Sequence, residues 1–93
     1  MPEISRFMGI AIKMFYNDHG VPHFHAVYAE RKISLEVESG AVHGSFPPRA
    51  LRHAREWTEL HEQELLENWD RARRGEPLKP IAALERVSRW TTM

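Results

Sequence analysis

The chemistry open to this chain is concentrated in Asn17–Tyr28, NDHGVPHFHAVY. That run sets His19, His23 and His25, three of the six histidines, within seven positions and beside Asp18. Neutral imidazoles ligate zinc, nickel, copper and iron, and they exchange protons near neutral pH. His23 and His25 are two apart, so on an extended segment both project from one face. Two such nitrogens can close on an ion at ~2.1 Å, with His19 swinging in from the turn and Asp18 acting as a ligand or as the group that orients one. The expected metal set is His19, His23 and His25, the expected ion is zinc or nickel, and an open position beside three protein ligands suits hydrolysis.

Two other readings of the same residues stand beside that one. Without a metal, His23 and His25 make a general base and general acid for a phosphodiester, with the 2′-hydroxyl of RNA as nucleophile. Arg49 and Arg52, stepping round the start of the helical region, are then the expected phosphate contacts. Thirteen basic and thirteen acidic residues cancel, however, and phosphate binding normally leaves a basic footprint, so RNA is not favoured as a partner. In the third reading the imidazoles brace a turn and a sheet face, and the chain is a recognition module.

The elements that must position these residues follow from periodicity. Ile4–Tyr16 is expected as one strand, with Ile10, Ile12, Met14 and Tyr16 in alternation and Gly9 as a bend or bulge. Asn17, Asp18 and Gly20 supply turn chemistry. A second strand, Phe24–Ala29, directs Phe24, Ala26 and Tyr28 to one side and His23, His25 and Val27 to the other. Ile33, Leu35 and Val37 alternate in a third strand, Lys32–Glu38, and Ala41–Phe46 reads as a short fourth weakened by Gly44. Links this short join antiparallel neighbours.

Beyond Pro48, which suits a first helical turn, nothing breaks a helix until Gly75 and Pro77. Leu51, Ala54, Trp57, Leu65 and Trp69 fall on one stripe. Such a helix would run ~40 Å at ~1.5 Å per residue, so it must overhang short strands or break once. Either outcome is expected to leave part of the stripe open to a partner. Pro77 and Pro80 suggest an extended link, then a short helix over Ala82–Trp90, with Trp90 docking on the body or on a second subunit.

Ninety-three residues make one domain, divided as a β-rich half with the histidine turn (1–46), a long helix (48–75) and a tail (76–93). The expected fold is α+β: a three- or four-stranded antiparallel sheet with one long helix packed across it and a docked tail. There is no cysteine, which excludes disulfides, thiolate metal sites and cysteine nucleophiles. No apolar run approaches a membrane span and the start, MPEISRF, has no signal-peptide pattern, so a cytoplasmic location is expected.

The motifs PEISRF, FYNDHGVPHFHAVY and PPRALRHAREWTELHEQELLENWDRARRGEPLKPI together resemble a small bacterial family, domain of unknown function 4160, from Pro2 to about Leu84. Gly20-Val21 departs from its usual pattern, in which a proline often stands beside Pro22. The resemblance implies a small cytoplasmic bacterial protein, often encoded beside a second small domain as in toxin–antitoxin modules. It implies no established activity. The sequence therefore favours a regulatory or interaction protein of toxin–antitoxin type, partnered by a small protein encoded nearby or by itself. The alternative is a histidine-dependent ribonuclease or a metal-binding hydrolase.

Overall fold

A computed structural model describes residues 2–85. Its five strands are β1 (Glu3–Phe7), β2 (Ile10–Lys13), β3 (His23–Tyr28), β4 (Arg31–Glu36) and β5 (Val42–Gly44). Two helices follow, α1 (Pro48–Leu60) and α2 (Glu62–Arg73). The strands form one antiparallel sheet in chain order, a meander. The fold is α+β as expected, but with five strands and two helices where the sequence suggested three or four strands and one long helix.

The extra strand comes from a hairpin inside the segment read as a single strand. Met8 and Gly9 take φ of 49° and 80°. Positive φ at both central residues is the requirement of a two-residue type I′ turn, whose twist matches that of the flanking strands. Phe7 then faces Ile10 and Arg6 faces Ala11. A Met-Gly pair carries a much weaker turn signal than Asn-Gly, which is why alternation alone runs straight through it.

The helix breaks at His61, whose φ of −121° and ψ of 26° leave the helical region. No proline or glycine stands there. The break lets two short helices each lay an apolar face on the sheet, where a straight rod would overhang it. Ala50, Ala54 and Trp57 are buried from α1, and Leu65, Trp69 and Ala72 from α2. Locally, the His61 N–H reaches back to the Trp57 and Thr58 carbonyls, its ring packs 5.4 Å from Trp57, and Nδ1 pairs with Glu64. These contacts satisfy polar groups that a chain break would otherwise leave open.

The helices sit on the Phe24 side of the sheet. Trp57, fully buried, meets Phe7 at 5.3 Å and Phe24 at 5.7 Å between ring centroids. Ile10, Ile12, Met14, Ala26, Ile33 and Leu35 complete the core. The expected division of β3 holds: Phe24 and Ala26 are buried, and His23 and His25 lie on the other face.

The tail docks through polar clamps as well as apolar contact. Asn68, buried on α2, donates from Nδ2 to the Lys79 carbonyl (2.8 Å) and accepts the Lys79 N–H at Oδ1 (3.0 Å). Trp57 Nε1–H donates to the Ala82 carbonyl (2.8 Å), and the Ile81 N–H donates to the Ile4 carbonyl (2.8 Å). Ile81 and Leu84 are buried beneath. Two expectations therefore change. The helix stripe is spent on the core, and Ala82–Glu85 form no helix. Val87 and Trp90 lie outside the described residues.

Candidate metal centre

The loop between β2 and β3 begins with Asn17 at φ 58°, a left-handed conformation that asparagine tolerates. That turn swings Asp18 back over the start of β3. The Asp18 carboxylate accepts the His19 N–H at Oδ1 (2.9 Å) and aims Oδ2 at two imidazoles. His23 Nε2 is 3.0 Å away and His25 Nε2 is 3.6 Å away. One ligand atom from each of Asp18, His23 and His25 lies within 4.8 Å of the other two. The side chains keep 26%, 16% and 21% of their surface exposed, so the group is recessed yet reachable.

The rings are held from behind. His23 packs 5.1 Å from Trp69 and 5.5 Å from His25, and His25 packs edge-on at 4.4 Å from Phe15. His23 Nδ1 lies 2.8 Å from the Val21 carbonyl. A carbonyl oxygen only accepts, so Nδ1 carries the proton, and Nε2 of the neutral ring presents a lone pair. That lone pair points at a carboxylate oxygen. Two acceptors face each other at 3.0 Å, an arrangement that needs a proton or a cation between them. An imidazole donating Nδ1–H to a backbone carbonyl while offering Nε2 is also the usual second-sphere arrangement of a metal-binding histidine.

In the metal-free site the Asp18 carboxylate is held by N–H donors that include both imidazoles, and a cation entering the site would displace those Nε2 protons. Burial lowers the His25 pKa, outweighing Asp18, which acts to raise it; the His23 and Lys32 charges lower it further. Burial alone would raise the Asp18 pKa. The His19 N–H, the His23 charge and hydrogen bonds from His25 and His23 together outweigh it and hold the carboxyl below its ordinary value. A neutral imidazole and an ionised carboxylate are what a cation requires.

His19 is not brought into this group. It lines a neighbouring cleft of about 230 Å³ with Gly20, Val21, His23, Ser34, Glu36 and His43. Arg49 and Arg52 are exposed on α1, and among the described residues no hydrogen bond or ion pair joins either to the imidazole pair. Asp18 stands as a ligand-distance partner of both histidines.

The sequence did not place Glu36 and His43 on the histidine face, and the register does. His25 pairs with Ser34 and Ser34 with His43, while His23 pairs with Glu36. All five residues share the face opposite the core. His43 Nε2 lies 3.0 Å from Glu36 Oε2, and Ser39 Oγ donates to Glu36 Oε1 at 2.7 Å. Ser39 first, then His43, lowers the pKa of the Glu36 carboxyl. Alternation with buried Ile33 and Leu35 signals the facing of Glu36; that of His43 depends on the turn at Val37–Ala41, which alternation does not reach.

Fold and site define a small α+β domain whose open sheet face carries two histidines and a carboxylate in ligating order. A family model described as Domain of unknown function (DUF4160) matches residues 9–70, which include Asp18, His23, His25, Glu36 and His43, and the chain belongs to that family. Comparisons with curated proteins and with solved structures found no match. Among the described residues no helix is long and apolar enough to cross a membrane.

Proposed function

We propose that this protein binds one divalent cation of the zinc class through Asp18 Oδ2, His23 Nε2 and His25 Nε2, and that it is a metal-dependent hydrolase. The observation that carries the reading is the convergence of one ligand atom each from Asp18, His23 and His25 within 4.8 Å, with His23 Nδ1–H committed to the Val21 carbonyl. Two imidazoles and one carboxylate form a mixed nitrogen–oxygen donor set that suits zinc and its neighbours. Three protein ligands would leave a coordination position free, and a cleft lined by His23 adjoins the site. A zinc ion so held supplies Lewis-acid activation of water near neutral pH.

The chain's own residues do the rest. Asp18 and the two rings fix the donor geometry, and Trp69 and Phe15 keep the rings from turning. The partner-docking role expected from the sequence rested on the helix stripe, the tail and the histidine face. The stripe and the described part of the tail pack into the core, which supports reading the histidine face as the working surface. A regulatory setting beside a small partner protein is compatible with this activity and is tested by co-purification with the neighbouring gene product.

Cobalt(II) substitution tests the metal reading directly. The loaded protein is expected to show visible d–d absorption of a low-coordinate nitrogen–oxygen site, lost in Asp18→Ala and in His23→Ala. A spectrum indistinguishable from aqueous cobalt contradicts the proposal.

A further inference from the structure

We propose that His43 is the general base of the cleft and that the ester it hydrolyses is an anionic phosphate diester. This rests on the metal-hydrolase reading above. The Glu36 carboxylate can only accept, so the 3.0 Å contact places a proton on His43 Nε2 and leaves Nδ1 as the free lone pair. Ser39 Oγ–H, at 2.7 Å from the other Glu36 oxygen, fixes that carboxylate in turn. A hydroxyl, a carboxylate and an imidazole in series form an oriented base, with the carboxylate holding the imidazole in one tautomer and the hydroxyl holding the carboxylate.

Position supports the role. His43 and His23 line the same cleft, so a substrate there reaches one of the three proposed ligands and His43 together. The His43 side chain is 64% exposed, which fits a proton-transfer group and not a packing residue. Ser39 also accepts the Ala41 N–H at Oγ (3.1 Å), so the β4–β5 turn fixes the position of the series, while the exposed His43 ring buries no core surface.

The charge around the cation site selects the ester. Lys13 pairs with His25 across β2 and β3, and Lys32 sits diagonally from His25 on β4, on the same face. With a bound divalent cation, the two ammonium groups would outweigh the Asp18 and Glu36 carboxylates and favour a substrate bearing negative charge over a neutral carboxylic ester. In the reaction the water oxygen bonds to phosphorus while one of its O–H bonds breaks, and that proton passes to His43 Nδ1. As the bond from phosphorus to the leaving oxygen breaks, the same proton is given to that oxygen. One water is consumed, a phosphate monoester and an alcohol are released, and His43 returns to its starting form.

The test uses the zinc-loaded full chain with bis(4-nitrophenyl) phosphate as probe. His43→Ala is expected to lower kcat by ~100-fold, the low end of what general base catalysis supplies, with KM changed by less than about threefold. Zinc binding measured by calorimetry should be unchanged, because His43 is no ligand. Glu36→Gln, which alters a positioning residue, is expected to cost ~10-fold and to shift the His43 15N signals away from the Nε2–H tautomer. Wild-type turnover retained in His43→Ala with zinc still bound overturns this inference alone. A larger rate enhancement over the uncatalysed reaction for 4-nitrophenyl acetate than for the diester overturns the substrate class, and so does an absence of diester turnover by the zinc-loaded protein. Failure to bind zinc at all overturns the underlying metal reading.

Discussion

Gly44→Ala is the perturbation that best separates the two halves of the site. Gly44 sits in the edge strand β5 at φ 113°, outside the region L side chains adopt, and it pairs with Ile33. A Cβ there would lie 2.8 Å from the Lys32 carbonyl oxygen, 3.1 Å from Ile33 Cγ2 and 3.2 Å from Ile33 Cα. Two of those three atoms are backbone and cannot swing aside. Backbone strain of this kind costs roughly 1–3 kcal/mol, and the clash adds to it. Against the roughly 5–14 kcal/mol typical of a domain this size, we expect a loss of about 2–3 kcal/mol. It should fall mainly on β5, because three residues held at one edge can peel away before the core opens. Urea unfolding should show the lowered midpoint, and amide exchange should show lost protection at Val42 and His43. Zinc affinity should be unchanged, since Asp18, His23 and His25 belong to the β2–β3 loop and β3, while diester hydrolysis should drop to the level of His43→Ala. Stability within ~0.5 kcal/mol of wild type, or zinc affinity falling in parallel with hydrolysis, would refute this reasoning.

Asn68→Ala should cost ~2–4 kcal/mol, because it strips both hydrogen bonds from the Lys79 backbone at a buried site; an unshifted urea midpoint contradicts the clamp. It should also speed proteolysis within residues 78–85. Trp69→Ala should cost ~3–5 kcal/mol as a large buried ring is lost, and it should weaken zinc binding by ~10-fold through loss of the wall behind His23; unaltered affinity would show that the ring holds its place unaided. The pH dependence follows from His25, whose folded pKa is depressed chiefly by burial. The unfolded chain then binds that proton first, so metal-free stability falls as pH drops below ~6.5 and continues to fall until the folded form protonates; Asp18, also depressed, adds a second decline below ~3.9. An NMR titration should place the His25 midpoint below ~6.5, and a midpoint above that value contradicts the assignment.

Much of the sheet could be read from alternation alone. Phe24 and Ala26 face inward and His23 and His25 outward because a strand has period two, and that parity holds whatever the strand's exact ends. The Met8-Gly9 turn was not legible, because its glycine supplies one positive φ while the methionine supplies the other without any sequence mark. Nor was the break at His61, where helix propensity is unremarkable and tertiary burial of Trp57 and Trp69 on one sheet decides the geometry. At the site, the pair His23 and His25 was fixed by spacing. The choice of Asp18 over His19 as their companion depends on the loop path set by Asn17, and a seven-residue motif does not encode that. His43 entered through strand register across two hairpins, a long-range fact.

Calorimetric titration of zinc into the metal-free, untagged protein bears most directly on the central claim. Saturable binding of one ion per chain is expected, retained in His19→Ala and abolished in the His23→Ala/His25→Ala double variant, provided that variant keeps a wild-type fold by circular dichroism. No saturable binding, or equal binding by the double variant, would contradict it.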